Sequence, residues 1–132
     1  MSQNAIEARA LVKRYGELEA VRSLSFAVRR GEIYGFLGPN GAGKTTTISL
    51  LSCLLEPSGG TALVAGYDVV KASNEVRRRI GLVPQDLALY PTLSARDNLN
   101  YFGRIYGLRG RALRRSVDEA LEMVSLTERA RA

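Results

Sequence analysis

Residues 38–45 read Gly-Pro-Asn-Gly-Ala-Gly-Lys-Thr and match the pattern G-x-x-x-x-G-K-[ST]. The three glycines of this segment let the backbone curl with its N–H groups pointing inward, where they can donate to phosphate oxygens. Lys44 can then reach terminal phosphates, and the Thr45 hydroxyl can hold Mg²⁺. A glycine-rich turn with an incidental lysine is the alternative. The pattern predicts a loop that binds the phosphates of a nucleotide.

Such a loop needs a strand before it and a helix after it. Residues 33–37 are an apolar run that predicts a buried strand, and residues 45–55 are compatible with a helix. A helix that starts here would add its positive N-terminal end to the phosphate site. The predicted context therefore favours phosphate binding over an incidental turn.

Composition limits the class of protein. The chain has 132 residues, a length that suits one domain or part of one, and no apolar run is long enough to cross a membrane. Cys53 is the only cysteine, so no internal disulfide can form, and we interpret it as a small buried apolar residue. With no signal peptide at the N-terminus, a cytoplasmic location is expected. The net charge of +6 leaves open solvated helix faces, a membrane-bound partner or nucleic acid, of which nucleic acid is least favoured.

The remaining pattern predicts strands that alternate with helices. Strands are expected at residues 6–12 and 20–28, with a bend near Leu24, and a turn at residues 15–17 joins them. Further along, the pattern predicts a turn at 29–32, a short strand at 61–65, a turn at 66–68, a short basic helix at 74–79 and a buried strand at 80–84. An α/β fold follows, with the phosphate loop at the carboxyl ends of its strands.

The last forty or so residues are expected to be helical. Ser94 and Asp97 have the spacing of a capping box and predict the start of a helix. A break at residues 107–110 and a second helix at 111–126 should follow. The predicted apolar faces contain Leu99, Phe102, Ile105 and Tyr106 in the first helix, and Leu113, Val117, Ala120, Leu121 and Val124 in the second.

The chain closely resembles the nucleotide-binding domain of ABC (ATP-binding cassette) transporters. The resemblance rests on the G-P-N-G-A-G-K-T-T loop, on Lys13-Arg14-Tyr15-Gly16 upstream of it and on Leu82-Val83-Pro84-Gln85-Asp86 downstream. It implies an α/β P-loop NTPase with a RecA-like core, an antiparallel β-subdomain at the N-terminus and the start of an α-helical subdomain. The implied boundaries are residues 1–86 for the ATP-binding core and 87–132 for the helical part.

The resemblance also implies Mg-ATP as the ligand. Tyr15 would stack on adenine, with an ordinary turn aromatic as the alternative. Gln85 would contact Mg²⁺ and the attacking water and act with Lys44 in catalysis, or else be a solvated loop residue. Thr46 would add phosphate contacts or cap the helix. The complete implied set is Tyr15, Gly38, Pro39, Asn40, Gly41, Ala42, Gly43, Lys44, Thr45 and Thr46 for the nucleotide, and Thr45 and Gln85 for the metal.

Two kinds of partner are implied. Leu87, Leu89, Tyr90 and Leu93 form an apolar patch that would contact a transmembrane permease, although filling a core is the alternative. A second copy of the ATP-binding subunit would complete the site, on the cytoplasmic face of the cell membrane. Residues 68–70 and 76–81 are similar to the branch that exports drugs and antibiotics.

Several family features are missing from the sequence. It contains no L-S-G-G-Q-like signature, no apolar run that ends in Asp-Glu, and no histidine. Asp118-Glu119 lies in a helical pattern, and Ser58-Gly59-Gly60 precedes a strand, so neither is a substitute. We therefore expect the N-terminal part of a longer protein that binds ATP without hydrolysing it alone. A soluble ABC-type ATPase that acts on DNA or ribosomes, or a binding module without turnover, are the alternatives.

Overall fold

The computed structural model describes residues 3–36, 42–84, 86 and 88–127. It divides between Leu82 and Val83 into two compact units, which we call the sheet unit and the helical unit.

The sheet unit is built on a four-stranded antiparallel sheet. Its strands are β1 (Asn4–Tyr15), β2 (Leu18–Arg29), β3 (Gly59–Val64) and β4 (Tyr67–Asp68), in the order β2-β1-β3-β4. The predicted turn between the first two strands is present, and Gly16 has φ 61° there, a left-handed value that glycine adopts without steric cost. The antiparallel subdomain implied by the resemblance is therefore confirmed.

The bend predicted near Leu24 is confirmed as a pair of bulges. The β1–β2 register shifts between the pairs Ala8↔Phe26 and Leu11↔Leu24, and again before Lys13↔Val21. Each shift leaves one extra residue on one strand, which bends the hairpin. A hydrogen bond from the Ala10 N–H to Ser25 Oγ, 2.8 Å long, satisfies a donor that the first bulge removes from the ladder.

Two helices complete the sheet unit, α1 (Ala42–Leu51) and α2 (Ser73–Arg77). Side chains of the strands and of both helices form one apolar core. Its buried members are Ala8, Leu11, Val21, Leu50, Leu51, Cys53, Ala62, Val64, Val69 and Val76. Cys53 is buried as expected, and burial raises the pKa of its thiol.

Helix α1 ends four residues before the predicted Leu55. Cys53 has φ 65°, and its N–H donates to the Leu50 carbonyl at 3.3 Å. The Leu54 N–H donates to the Ser49 carbonyl at 2.9 Å, which completes a Schellman cap. The helix therefore ends early because Cys53 occupies the left-handed cap position at which glycine is usual. No glycine marks this position, so the end of the helix could not be predicted.

The two buried strands predicted at residues 33–37 and 80–84 are wrong. Residues 33–36 and 80–84 have no strand pairing, and the side chains of Ile33 and Val83 are 100% and 94% exposed. A buried parallel strand needs hydrogen-bonded neighbours, and neither segment has one among the described residues. Tyr34 and Phe36 instead contact the Phe26 ring, with centroids 5.6 and 5.5 Å away.

The boundaries of two smaller elements also differ. The turn predicted at 66–68 is formed by Ala65 and Gly66, with φ values of 51° and 84°, and Tyr67–Asp68 belongs to β4. Helix α2 ends at Arg77 rather than at residue 79. A strand of two residues is too short for its alternation to be visible in the sequence.

The helical unit is an antiparallel pair, α3 (Ala95–Ile105) and α4 (Gly110–Met123). The predicted cap of α3 is confirmed, because Ser94 Oγ accepts the Asp97 N–H at 3.1 Å. Leu113, Val117 and Leu121 are the buried residues of its core, with Ala95, Leu99 and Leu108 packed against them. The predicted faces are too wide, because Ile105 and Tyr106 are 61% and 74% exposed and Val124 is exposed as well.

None of the helices in the described part of the chain is long and apolar enough to cross a membrane.

Candidate nucleotide-binding site

The structure describes only the second half of the predicted phosphate loop. Gly38, Pro39, Asn40 and Gly41 lie outside the described residues, and so does Gln85. Helix α1 begins at Ala42, so that Gly43, Lys44 and Thr45 all lie in its first turn. The helix that the phosphate-loop pattern requires is therefore present, and it begins three residues before the predicted Thr45.

Gly43 allows the start of α1 to lie close to the sheet. A Cβ built at this position would lie 3.1 Å from the carbonyl oxygen of Ala20 on β2, which is tighter than ordinary contact. Below it, Thr47 Oγ1 donates to the Gly43 carbonyl at 2.7 Å, and the Thr47 side chain is almost fully buried. No sequence pattern distinguishes Thr47, whose role is to hold this turn.

The first turn of α1 is electropositive. It contains no acidic residue, and the partly buried Lys44 adds a cation to the positive end of the helix dipole. Thr45 is exposed beside it, whereas the Thr46 side chain is buried. The positive end of the helix and the Lys44 ammonium group both attract anions, so the arrangement suits a phosphate group.

Tyr15 lies at the same end of the sheet as the start of α1. It pairs with Leu18 across the hairpin, and Ala20, whose carbonyl faces Gly43, is two residues further along β2. The Tyr15 ring is 45% exposed. Lys13 Nζ lies 5.5 Å from the ring centroid and donates to the Glu56 carbonyl at 2.8 Å. A partly exposed tyrosine ring offers an aromatic surface on which a flat base can stack.

The donor groups fit Mg-ATP. Gly43 leaves room for the close approach of α1 to β2, which a side chain would obstruct. Lys44 and the helix N-terminus suit phosphate oxygens, and the exposed Thr45 hydroxyl is the hard oxygen ligand that Mg²⁺ prefers. Among the described residues, no group of three or more acidic, cysteine or histidine side chains could hold a metal by itself.

The two look-alike segments have structural roles. Asp118 and Glu119 lie on α4, where they pair with Arg96 at 2.8 Å and with Arg115 at 3.3 Å. Ser58 Oγ accepts the Arg14 N–H at 2.9 Å, next to the first residue of β3. Neither segment belongs to the candidate site.

Three described members of the predicted apolar patch are exposed. Leu89, Tyr90 and Leu93 keep large solvent-accessible areas, and Leu87 lies outside the described residues. The Tyr90 ring meets the Tyr101 ring edge-on at 5.1 Å. The hydrogen bond between the two hydroxyl groups raises the pKa of Tyr90.

Asn98 fixes the backbone of this patch. It is buried on α3, and its Oδ1 accepts the Tyr90 N–H at 2.8 Å. Its Nδ2 donates to the carbonyls of Tyr90, Leu93 and Ser94. Asn98 could not be identified from the sequence, because nothing in the helical pattern distinguishes a buried asparagine from an exposed one.

Comparison with known proteins identifies the family. Residues 21–132 match the ABC transporter family. The chain is 44% identical over 126 residues to the linearmycin resistance ATP-binding protein LnrL of Bacillus subtilis, covering 96% of this chain and 40% of LnrL. It is 47% identical over 128 residues to the daunorubicin resistance ATP-binding protein DrrA2 of Streptomyces coeruleorubidus, covering 97% of this chain and 40% of DrrA2. The chain therefore belongs to the ABC transporter family.

Solved structures agree on the fold. CbiO1 from Clostridium perfringens, described as part of the ABC transporter complex cbiONQ, has a TM-score of 0.85 at 24% identity, covering 98% of this chain and 54% of CbiO1. An ATP-binding subunit of an ABC transporter has a TM-score of 0.78 at 29% identity, covering 96% of this chain and 52% of that subunit. The fold class predicted from the sequence is thus confirmed. The chain spans about 40% of the length of the curated relatives named above.

Proposed function

We propose that this chain binds Mg-ATP as part of the ATP-binding subunit of an ABC transporter that exports a small molecule. The observation that carries the proposal is the electropositive first turn of α1, with Lys44 and Thr45 in it and Gly43 close to β2. The relatives named for resistance to linearmycin and daunorubicin support an antibiotic-like compound as the exported substrate.

Each residue of the site has a proposed task. Lys44 neutralises charge on the terminal phosphates, assisted by the N–H groups at the start of α1 and by residues 38–41. Thr45 supplies an oxygen ligand for Mg²⁺, and Gln85 a second one beside the attacking water. Held by Thr45 and Gln85, Mg²⁺ would help to neutralise the negative charge of the phosphates during phosphoryl transfer. Tyr15 orients the base by stacking, and Thr46 adds phosphate contacts.

Two partners complete the proposed function. The exposed side chains of Leu89, Tyr90 and Leu93, together with Leu87, would contact a membrane-embedded permease. A second ATP-binding subunit would close over the nucleotide. Contact with the permease would place the protein on the cytoplasmic face of the membrane. ATP hydrolysis would then be coupled to transport. For the 132-residue chain by itself we expect binding without steady turnover, because it has no apolar run that ends in Asp-Glu and no histidine.

Calorimetric titration with Mg-ATP tests the proposal. Lys44→Ala should weaken binding at least 100-fold, because it removes the cation that faces the phosphates. Lys71→Ala is the matched control, since Lys71 is an exposed lysine of the same unit outside the site, and it should leave the affinity unchanged. Equal affinities for the wild type and Lys44→Ala would refute the site.

A further inference from the structure

A cluster of four arginines surrounds the turn between α3 and α4. Arg104 is in the last turn of α3, Arg109 precedes α4, and Arg111 and Arg114 lie in the first two turns of α4. All four side chains are exposed, and we call them the arginine cluster. Arg111 and Arg114 are three residues apart, so they lie on the same side of the helix.

No acidic residue balances this cluster locally. The sequence has no Asp or Glu between residues 98 and 117, and the first turn of α4 contains none. In the described part of the helical unit, Arg104, Arg111 and Arg114 take part in no ion pair. Arg115 is left out of the cluster because Glu119 pairs with it at 3.3 Å.

The acidic residues of the two helices lie towards the opposite end of the pair. The antiparallel arrangement is fixed by Arg96 and Asp118, 2.8 Å apart at that far end, and by Gly103 facing Leu113 near the turn. Asp97 and Glu122 are also towards the far end. The helix pair therefore has a positive end at the turn, and this end would orient towards a negatively charged surface.

Two exposed apolar side chains accompany the positive charge. Ile105 and Tyr106, at the end of α3, are 61% and 74% exposed and directly follow Arg104. The Arg109 guanidinium donates to the carbonyls of Arg104 and Leu108, at 3.2 and 3.1 Å, and so holds the turn that presents them. Basic residues beside an aliphatic and a tyrosine side chain are typical of proteins that bind the surface of a bilayer.

We propose that this end of the helical unit binds the anionic lipid headgroups of a membrane. The arginine cluster would contact phosphate groups, while Ile105 and Tyr106 enter the boundary between headgroups and acyl chains. Nucleic acid is less suitable, because an exposed isoleucine has no role on a phosphate backbone. The inference goes beyond the proposed function, since it involves another unit and needs no nucleotide.

Vesicle flotation of the full chain without nucleotide tests the proposal. We expect binding to phosphatidylcholine vesicles that contain phosphatidylglycerol, and none to phosphatidylcholine alone. One variant combines Arg104→Gln, Arg111→Gln and Arg114→Gln. Its partition constant should be roughly 100-fold lower, because each arginine contributes about fivefold. A control variant with Arg22→Gln, Arg29→Gln and Arg78→Gln loses the same charge from exposed sites in the sheet unit. It should bind like the wild type.

A second variant separates lipid insertion from charge. The variant with Ile105→Ser and Tyr106→Ser should still bind weakly at low salt. Its partition constant in 0.5 M salt should fall on the order of tenfold. Equal losses in the two arginine variants would overturn the proposal, because net charge alone would then explain binding. It would also be overturned if the cluster variant lost affinity for duplex DNA or ribosomal RNA while binding vesicles normally. Circular dichroism verifies that each variant keeps α3 and α4.

Discussion

The sheet unit and the helical unit differ in how far apart in sequence their contacts are. The core of the sheet unit joins Ala8 and Leu11 of β1 to Leu50 of α1 and Val76 of α2. The core of the helical unit joins residues 95–121 of two consecutive helices. The proposed nucleotide site depends on the distant contacts, whereas the surfaces proposed for the permease and for lipid depend on local ones. A substitution should therefore affect one function without the other.

The largest expected effect is confined to the sheet unit. Gly60 has φ 74°, and a Cβ there would overlap the Ala10 carbonyl and lie 2.7 Å from that of Arg9. Gly60→Ala should lower the free energy of unfolding of this unit by about 3 kcal/mol or more, because the β1–β3 pairing must shift. Amide hydrogen exchange, measured at increasing urea concentrations, gives the loss of unfolding free energy in each unit separately.

Gly66→Ala is the control for backbone strain alone. Gly66 has φ 84° in the same sheet, but nothing lies within 4 Å of a Cβ built there. Gly66→Ala should lower the free energy of unfolding by only about 1 kcal/mol. Similar losses for the two variants would contradict the close approach of β1 and β3, and a loss in the helical unit would contradict the separation of the units.

The two units also explain which sequence predictions succeeded. A helix satisfies its backbone within its own segment, so Ser94 and the stripe of Leu113, Val117 and Leu121 were sufficient to predict α3 and α4. The β1–β2 hairpin was predictable because its partner strands are adjacent in the chain. The failed strand predictions concern apolar runs whose pairing depends on residues elsewhere in the sequence, which periodicity cannot identify.

The candidate site was predictable in type but not in its supporting contacts. The phosphate-loop pattern predicts Lys44 and Thr45 as site residues because its spacing is specific. The contact of Gly43 with Ala20 and the hydrogen bond from Thr47 depend on how α1 packs against β2, which no local pattern encodes. The roles of Lys44, Thr45, Tyr15 and Gln85 remain predictions.

A smaller effect is expected from Tyr15→Ala, which should change nucleotide affinity without changing stability. Tyr15→Ala removes an exposed ring, so it should weaken Mg-ATP binding about tenfold and barely change unfolding. Tyr106→Ala, which removes an even more exposed tyrosine from the helical unit, should leave the affinity unchanged. Titration with a fluorescent ATP analogue measures both. Equal affinities of Tyr15→Ala and the wild type would exclude Tyr15 from the site.

Acid should weaken the sheet unit through Asp68. The N–H groups of Lys71 and Val70 donate to its carboxylate at 3.0 and 2.8 Å and lower its pKa below the usual value near 4. A lowered folded-state pKa stabilises the fold above the unfolded-state pKa, and this stabilisation is lost as pH falls through the folded-state pKa. Asp68→Asn should therefore lower the free energy of unfolding by about 1 kcal/mol at pH 7 and by progressively less as pH falls through the folded-state pKa. A pH-independent difference between Asp68→Asn and the wild type would contradict this assignment.

The smallest effect is a gain confined to the helical unit. Ser125 has φ 59°, and the N–H of the next residue, Leu126, donates to the Leu121 carbonyl at 2.9 Å, so Ser125 occupies the position of a Schellman cap where glycine is favoured. Ser125→Gly should stabilise this unit by about 0.5 kcal/mol. Thermal unfolding monitored on α4 amides measures the change. A destabilised helical unit would show that the serine side chain contributes more than its strained backbone costs.

Hydrogen exchange with and without saturating Mg-ATP tests the central claim most directly. If the first turn of α1 binds the phosphates, protection should increase in peptides that cover residues 42–47 and the hairpin end near Tyr15, and adenosine should not reproduce the effect at α1. Peptides from α3 and α4 should exchange at unchanged rates in the isolated chain. Unchanged exchange at α1 under saturating Mg-ATP, or protection confined to the helical unit, would contradict the account.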